Sequence, residues 1–471
     1  MLDYLVIAAY FAGMLIAGYI GLRKTRGSDD FLVAGRRLGP FMYTSAMSAV
    51  VLGGASTVGG ASLGYQYGVS GMALVFMLAL GITAIGLLFS SRLSRLGLYT
   101  VSELVGLRFG LSARRLSGLV VVFYTLMVGV GQVVAIGTVV TVLLDVSAST
   151  AVLLGWAIIM VYSIAGGMWS VTLTDVVQFC VKTVGVLLVL APLAISKAGG
   201  LSGMAETLPD FYFSPTGIGI GTIFAYFLLF FFGFMIDQGN WQRVFTARTE
   251  RVAFWGCIAS GAYCAFYGLV GALVGAAAKV LLPNLSNPDD AYARVADLVL
   301  PVGLFGLVIA AALASTMSTA SGLLLGSSTV LVNDLFATSK FGAGRKLGVG
   351  ANRIALVLIG LIALVISFAV GSVVGAVTVA ADLLAATVFV PVLGALFWRR
   401  ASTLAAMVSM VVSAAVCIGS MVVFGLYANE PVMYGLLASL VSFVAVALLV
   451  KREPAPPLRM APAEKTAAGS A

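Results

Sequence analysis

The chain has 471 residues, 61% of them hydrophobic and only 10% charged, whereas a soluble domain carries about 25% charged residues. This balance excludes a soluble enzyme, a disordered chain and a secreted disulfide scaffold, and points to an all-α polytopic membrane protein. The formal charge of +9 does not mark a nucleic-acid binder, because the basic residues sit in short loops between apolar runs, where they act as topology signals.

Glycines number 55 against 13 prolines, a bias suited to close helix packing or local unwinding in a bilayer. The four cysteines, Cys180, Cys257, Cys264 and Cys417, lie inside apolar runs and form no CxxC pair, so packing is their expected role. The chain has no histidine, which removes histidine metal sites and histidine-dependent triads. No clustered acid–base motif replaces them, and an enzyme is not expected.

Taken in order, the apolar runs make 13 expected spans, near residues 3–21, 40–68, 71–91, 116–144, 149–166, 171–196, 217–236, 252–280, 302–332, 354–370, 376–397, 402–426 and 431–450. Each is near or above the ~20 residues that cross a bilayer. The first is not a cleavable signal, since Arg23, Lys24 and Arg26 follow the apolar stretch instead of preceding it. Placing the N-terminus outside gathers most of the 27 basic residues on the inner side, within 23–37, 92–115, 243–251, 340–353, 399–400 and the tail. That asymmetry predicts an N-out, C-in topology. Residues 1–450 read as one transmembrane domain, and the Pro- and Ala-rich stretch 451–471 as a disordered cytoplasmic tail.

The second span is anomalous. A straight helix over 40–68 would be about 43 Å long, against a hydrocarbon core of roughly 30 Å, so it must tilt or break. Its middle reads Leu52-Gly53-Gly54-Ala55-Ser56-Thr57-Val58-Gly59-Gly60. A break there exposes backbone carbonyls suited to a cation, with Gly54, Ser56 and Thr57 beside them as solute or coupling candidates. A small-residue packing face is the alternative.

The ninth span carries Ser315, Ser318 and Thr319 on one face, with Ser321 three residues beyond Ser318. Hydroxyl oxygens suit a hard cation such as sodium. The same groups equally bond back to the carbonyls of their own helix. Charges inside spans form the third set. Asp175 stands about one turn into the sixth span, Lys182 lies seven residues on and on the same face, and Asp382 stands in the eleventh. Charge in a membrane is costly and marks a functional candidate, with a buried structural pair as the alternative. Of the loops, Glu103 is expected to cap a short interfacial helix, and Asp237-Gln238 with Gln242-Arg243 follows the seventh span.

Together these features resemble the sodium/solute symporter family, whose members include sodium-coupled proline, pantothenate, sialic acid, glucose, monocarboxylate and choline carriers. The matching stretches are Leu38-Gly39-Pro40, Tyr99-Thr100-Val101-Ser102-Glu103, Gly166-Gly167 to Thr174-Asp175-Val176-Val177-Gln178, Asp237-Gln238 with Gln242-Arg243, and the ninth-span hydroxyls, across roughly residues 1–450. The resemblance implies a leucine-transporter-like fold with inverted five-helix repeats, spans 2–6 and 7–11. It places a main sodium site between the broken second span and the ninth. Carried over, Ser318 and Thr319 supply hydroxyls, Ser315 a carbonyl, and Val50 and Gly53 further carbonyls; an alignment on Ala46-Met47-Ser48-Ala49 shifts the last pair to Val51 and Gly54. A possible second sodium site takes Asp175, Ser318 and Ser321, although Gly322 stands where another hydroxyl would have helped. The Gly-Gly pattern and Asp382 are similar to the choline-carrier branch, but the tryptophans of a quaternary-ammonium cage are missing, since the second span has Val51 and Leu52.

The resulting expectation is a monomeric sodium-coupled importer in a bacterial-type inner membrane. Sodium travels with a small polar or charged organic solute by alternating access. Lys182 and Asp382 are expected to anchor solute charges or to neutralise one another. The alternative is a proton-coupled carrier of the same fold with Lys182 as the titrating group.

Overall fold

A computed structural model describes residues 2–144, 147–340, 342, 347–369 and 373–449. Those residues are almost entirely helical, and their lone β-bridge joins Leu38 to Ala247. The expected tail, 451–471, lies outside the described residues.

The helices that build the site are α1 (Leu2–Lys24), α2 (Pro40–Val51), α3 (Gly54–Tyr67), α4 (Ala73–Ala84), α5 (Leu111–Leu144), α6 (Ala148–Lys182), α7 (Ile220–Met235), α8 (Gln238–Val244), α9 (Glu250–Leu281) and α10 (Leu304–Val330). Four more close the bundle: α11 (Val349–Ser367), α12 (Val373–Phe397), α13 (Thr403–Phe424) and α14 (Glu430–Leu449). Pro40 opens α2 at its first turn, where its missing N–H costs nothing.

Among the described residues, ten stretches are long and apolar enough to span a membrane, or eleven with the bent pair α7 and α8, against the 13 expected. The difference lies in two long stretches, Gly54–Leu96 and Ser149–Lys197, of 43 and 49 residues. Each is about twice the length that a ~30 Å core requires, and each contains a glycine at positive φ, Gly68 and Gly167.

Two interruptions organise the interior. The first separates α2 from α3 at Leu52 and Gly53, where the backbone leaves the helix at Leu52 and is extended at Gly53. The second separates α7 from α8 at Ile236 and Asp237, with a bend of 43°. The first span of each expected repeat is therefore broken. Between them runs α10, which is buried on every side and packs on α1, α2, α3, α5 and α6. A helix without a charged residue on any face belongs in the core of a bundle. Large apolar side chains on the periphery, such as Val365, Val422 and Leu449, are exposed as lipid-facing groups would be.

Candidate functional site

The site is built on unsatisfied backbone. The last turn of α2 has no following helical N–H groups to bond, because the chain leaves the helix at Leu52 and extends at Gly53. Side chains from α6 and α10 take their place. The Lys182 ammonium donates to the Ala49 carbonyl at 2.8 Å, to the Leu52 carbonyl at 3.1 Å and to Ser318 Oγ at 3.4 Å. Ser318 Oγ also meets the Ala49 carbonyl at 2.8 Å, and Thr319 Oγ1 donates to the Val50 carbonyl at 2.7 Å.

The two carbonyls that the lysine meets stand one residue before Val50 and Gly53, the pair expected to face sodium. Ala49 and Leu52, three apart and so on one face, point to the lysine. The Val50 carbonyl serves Thr319, and the Gly53 carbonyl accepts the amides of Ser56 and Thr57 as α3 begins. The alternative pair, Val51 and Gly54, is not turned that way either, since Val51 accepts from Ser56 Oγ. Gly53 is needed for the approach of the helices: a Cβ there would lie 2.6 Å from Thr319 Oγ1. Gly54 is nearly as constrained, 2.9 Å from Thr316 Cγ2, and its amide donates to Gln132 Oε1 at 2.9 Å. Gln132 thus caps the N-terminus of α3, a role that no sequence signal marked.

The ninth-span hydroxyls bond back to their own helix, as the alternative reading expected, and also reach α2. Ser318 and Thr319 touch the Ser315 carbonyl at 3.0 and 3.3 Å while reaching across to α2. Ser315 Oγ bonds back to Ala311 and accepts from Thr57 Oγ1 at 2.9 Å; Thr57 in turn meets the Tyr267 hydroxyl at 3.1 Å. Ser321 bonds back to Ser318.

Arg243, on α8, was missed as a site residue. It is wholly buried and donates from Nη2 to Asp175 Oδ2 at 2.7 Å, from Nε to the Ala46 carbonyl at 3.1 Å and from Nη1 to the Gly239 carbonyl at 3.2 Å. A Cβ at Gly322 would stand 2.8 Å from both terminal guanidinium nitrogens. Glycine stands there because the guanidinium fills the space. Asp175, expected near a second sodium, is therefore paired with a fixed cation. The signal in the sequence was Gln242-Arg243 itself, which hydropathy sorts into a loop although α8 folds back into the bundle. Asp237 Oδ1 caps α8 by accepting the Asn240 amide at 2.7 Å. Glu103 fulfils its expected capping role at the start of the helix Val101–Phe109: its amide donates to Thr100 Oγ1 at 3.0 Å, and its carboxylate accepts the Tyr99 amide at 3.0 Å.

A cavity of about 60 Å³ adjoins the break, lined among others by Gly53, Ser56, Tyr124, Gln132, Phe230 and Asn240. It holds water-sized guests, far below the ~300 Å³ of an ordinary ligand pocket, so the centre is closed. Asp382 stands apart. Its side chain on α12 is buried and lines a different cavity, and it shares no ion pair with Lys182, whose ammonium is spent on the α2 carbonyls. The expected mutual neutralisation of these two residues is not formed.

A helical bundle with two broken spans, whose free carbonyls face hydroxyls and an ammonium around a closed cavity, has the architecture of a solute transporter. The comparisons with known proteins agree. The model of the "Sodium:solute symporter family" matches residues 31–413, and the chain belongs to that family. It is 27% identical over 430 residues to a high-affinity proline transporter of Bacillus subtilis, across 86% of this chain and 89% of that protein. It is 25% identical to the high-affinity choline transporter 1 of Drosophila melanogaster, across 84% and 66%. A solved structure of a Na+-coupled sialic acid symporter, in a substrate-bound outward-open state, shares the fold with a TM-score of 0.84 at 19% identity, across 97% of this chain and 99% of that one. The protein is a multi-pass membrane transporter and not an enzyme.

Proposed function

We propose that this protein is a sodium-coupled importer of a small polar or charged organic solute, working by alternating access. The chain crosses the membrane 13 times with its N-terminus outside and its C-terminus inside, as a monomer in a bacterial-type inner membrane. The observation that carries the reading is the contact of Ser318 and Thr319 with the last carbonyls of α2 at the break. Carbonyl and hydroxyl oxygens without a carboxylate suit a monovalent hard cation, and a cation gripping both α2 and α10 would hold the two elements in one arrangement. Sodium would travel as cargo and not remain as a bound cofactor. Binding at the break would favour one gate state over the other, which is all that coupling requires.

A second reading is favoured by one observation. The Lys182 ammonium already lies on the Ala49 and Leu52 carbonyls, so a proton on that lysine would do the gripping in place of sodium. The family and the named relatives speak for sodium.

The test is uptake into proteoliposomes. Solutes are first found by thermal-shift screening of amino acids, sugars, monocarboxylates, polyamines and choline, with and without sodium. A hit is then driven by a sodium gradient at equal pH or by a pH gradient in sodium-free buffer. Accumulation under sodium alone supports the main reading. Full accumulation under the pH gradient alone, lost in Lys182→Met, replaces it with the second.

A further inference from the structure

A second cavity, of about 450 Å³, lies beyond a thin apolar wall from the central one. Leu74, Leu229 and Phe230 border both. Consecutive residues of α12 divide between them: Ala381 lines the central cavity and Asp382 the larger one. The larger cavity is rimmed by Tyr427 and Asn429, from the loop joining α13 to α14. Tyr427 is exposed. That loop lies at the opposite end of α14 from the C-terminal tail, so it faces outward in the proposed topology.

The lining has one distinctive chemistry. Asp382 is 1% exposed, and its Oδ2 has no hydrogen-bond partner. No lining residue carries a positive charge. Buried carboxylates are ordinarily paired; one that lacks a partner is relieved by taking up a proton or by a ligand of opposite charge. Three aromatic rings, of Tyr226, Phe230 and Tyr427, stand among the otherwise small and aliphatic lining. Tyr226 and Phe230 meet edge to face, with ring centroids 5.2 Å apart at 70°, and the Tyr427 ring closes on Gly375, where a Cβ would stand 2.6 Å from it. Aromatic faces attract weakly hydrated organic cations. A hard divalent ion instead wants about six or more oxygens, and among the described residues no three Asp, Glu, Cys or His side chains cluster to supply them.

We propose that this cavity is an entry site for an organic ammonium ion, with Asp382 as its counter-charge, the rings of Tyr226, Phe230 and Tyr427 as its walls, and Leu74, Leu229 and Phe230 as the barrier it passes to reach the centre. The assignment deepens the transporter reading and rests on it for the direction of approach. It names the solute class: a molecule with a cationic nitrogen, alone or as part of a zwitterion.

The experiment uses the full-length protein in nanodiscs, with no gradient. Choline is the probe, beside its uncharged isostere, in which a quaternary carbon replaces the nitrogen, and sodium chloride alone. Choline raises the melting temperature in a saturable way and the isostere does not. Asp382→Asn weakens choline binding by more than about tenfold, as loss of one partner of a buried charge pair does, while Asp382→Glu keeps most of it. The double variant Tyr226→Leu/Tyr427→Leu, which leaves the carboxylate in place, weakens it by roughly three- to tenfold. The inference is overturned if choline gives no shift in the wild type, if the isostere protects equally, if sodium alone gives the same Asp382-dependent shift, or if Asp382→Asn binds choline normally. Should Asp382→Asn fail to fold, the comparison of choline with its isostere and the tyrosine variant decides. Failure of the transporter reading looks different: choline binds through Asp382, yet no ion gradient moves a solute across proteoliposomes.

Discussion

Lys182→Met asks what the ammonium does in the cleft between α2 and α10. The wild-type side chain makes three contacts there, at 2.8, 3.1 and 3.4 Å. Methionine keeps the bulk and removes the donors. The Ala49 carbonyl keeps the Ser318 hydroxyl at 2.8 Å, so its loss is partial. The Leu52 carbonyl loses its ammonium donor, and a buried acceptor without a partner costs about 1–3 kcal/mol. A sodium ion entering the vacated position satisfies the same oxygens and offsets that cost. In the wild type it must first displace the ammonium. The apparent sodium affinity should therefore rise in Lys182→Met by about tenfold or more, since ~1.4 kcal/mol is one decade. The assay is the melting temperature of the purified protein across a sodium series, with choline-free potassium salt holding ionic strength constant. A ligand at a hundred times its Kd stabilises by about 2.7 kcal/mol, so the variant should reach a given stabilisation at a markedly lower sodium concentration. If its sodium dependence matches that of the wild type, the lysine and sodium do not compete for these carbonyls, and the reasoning fails.

Removing both hydroxyls in Ser318→Ala/Thr319→Ala should raise the sodium needed for half-maximal uptake about tenfold or more; an unchanged requirement would place the cation elsewhere. Gly53→Ala drives a methyl to 2.6 Å from Thr319 Oγ1, so uptake should be lost while Ala substitution at Gly13, which has open space around it, leaves uptake intact. Arg243→Ala strands Asp175 as a buried charge and should cost about 3–5 kcal/mol in thermal unfolding, whereas a double variant Arg243→Gln/Asp175→Asn should recover part of the loss. Equal stability of Arg243→Ala and wild type would contradict the pairing at 2.7 Å.

Composition and hydropathy by themselves determined the class of this protein. Apolar runs of bilayer length need no knowledge of neighbours, because the lipid is the same for every span. The break in the second span was legible for a related reason: Gly53 and Gly54 stand in a run too long for one straight crossing. Capping was readable too, as with Thr100 and Glu103, because its partners lie three residues apart in the chain. Tertiary structure decided everything that depends on which distant groups meet. Asp175 and Arg243 are 68 residues apart, and only the fold-back of α8 joins them, which also explains why Gly322 is not a hydroxyl residue. Which α2 carbonyls meet the lysine, Ala49 and Leu52, follows from where the helix stops, and helix ends are set by packing as much as by local sequence. Lys182 and Asp382 show the limit most plainly. Both read as charges in the membrane, yet one is hydrogen-bonded to a broken helix and the other lines a separate aromatic cavity, because a side chain's partners are fixed by packing against other elements and not by its place in its own helix.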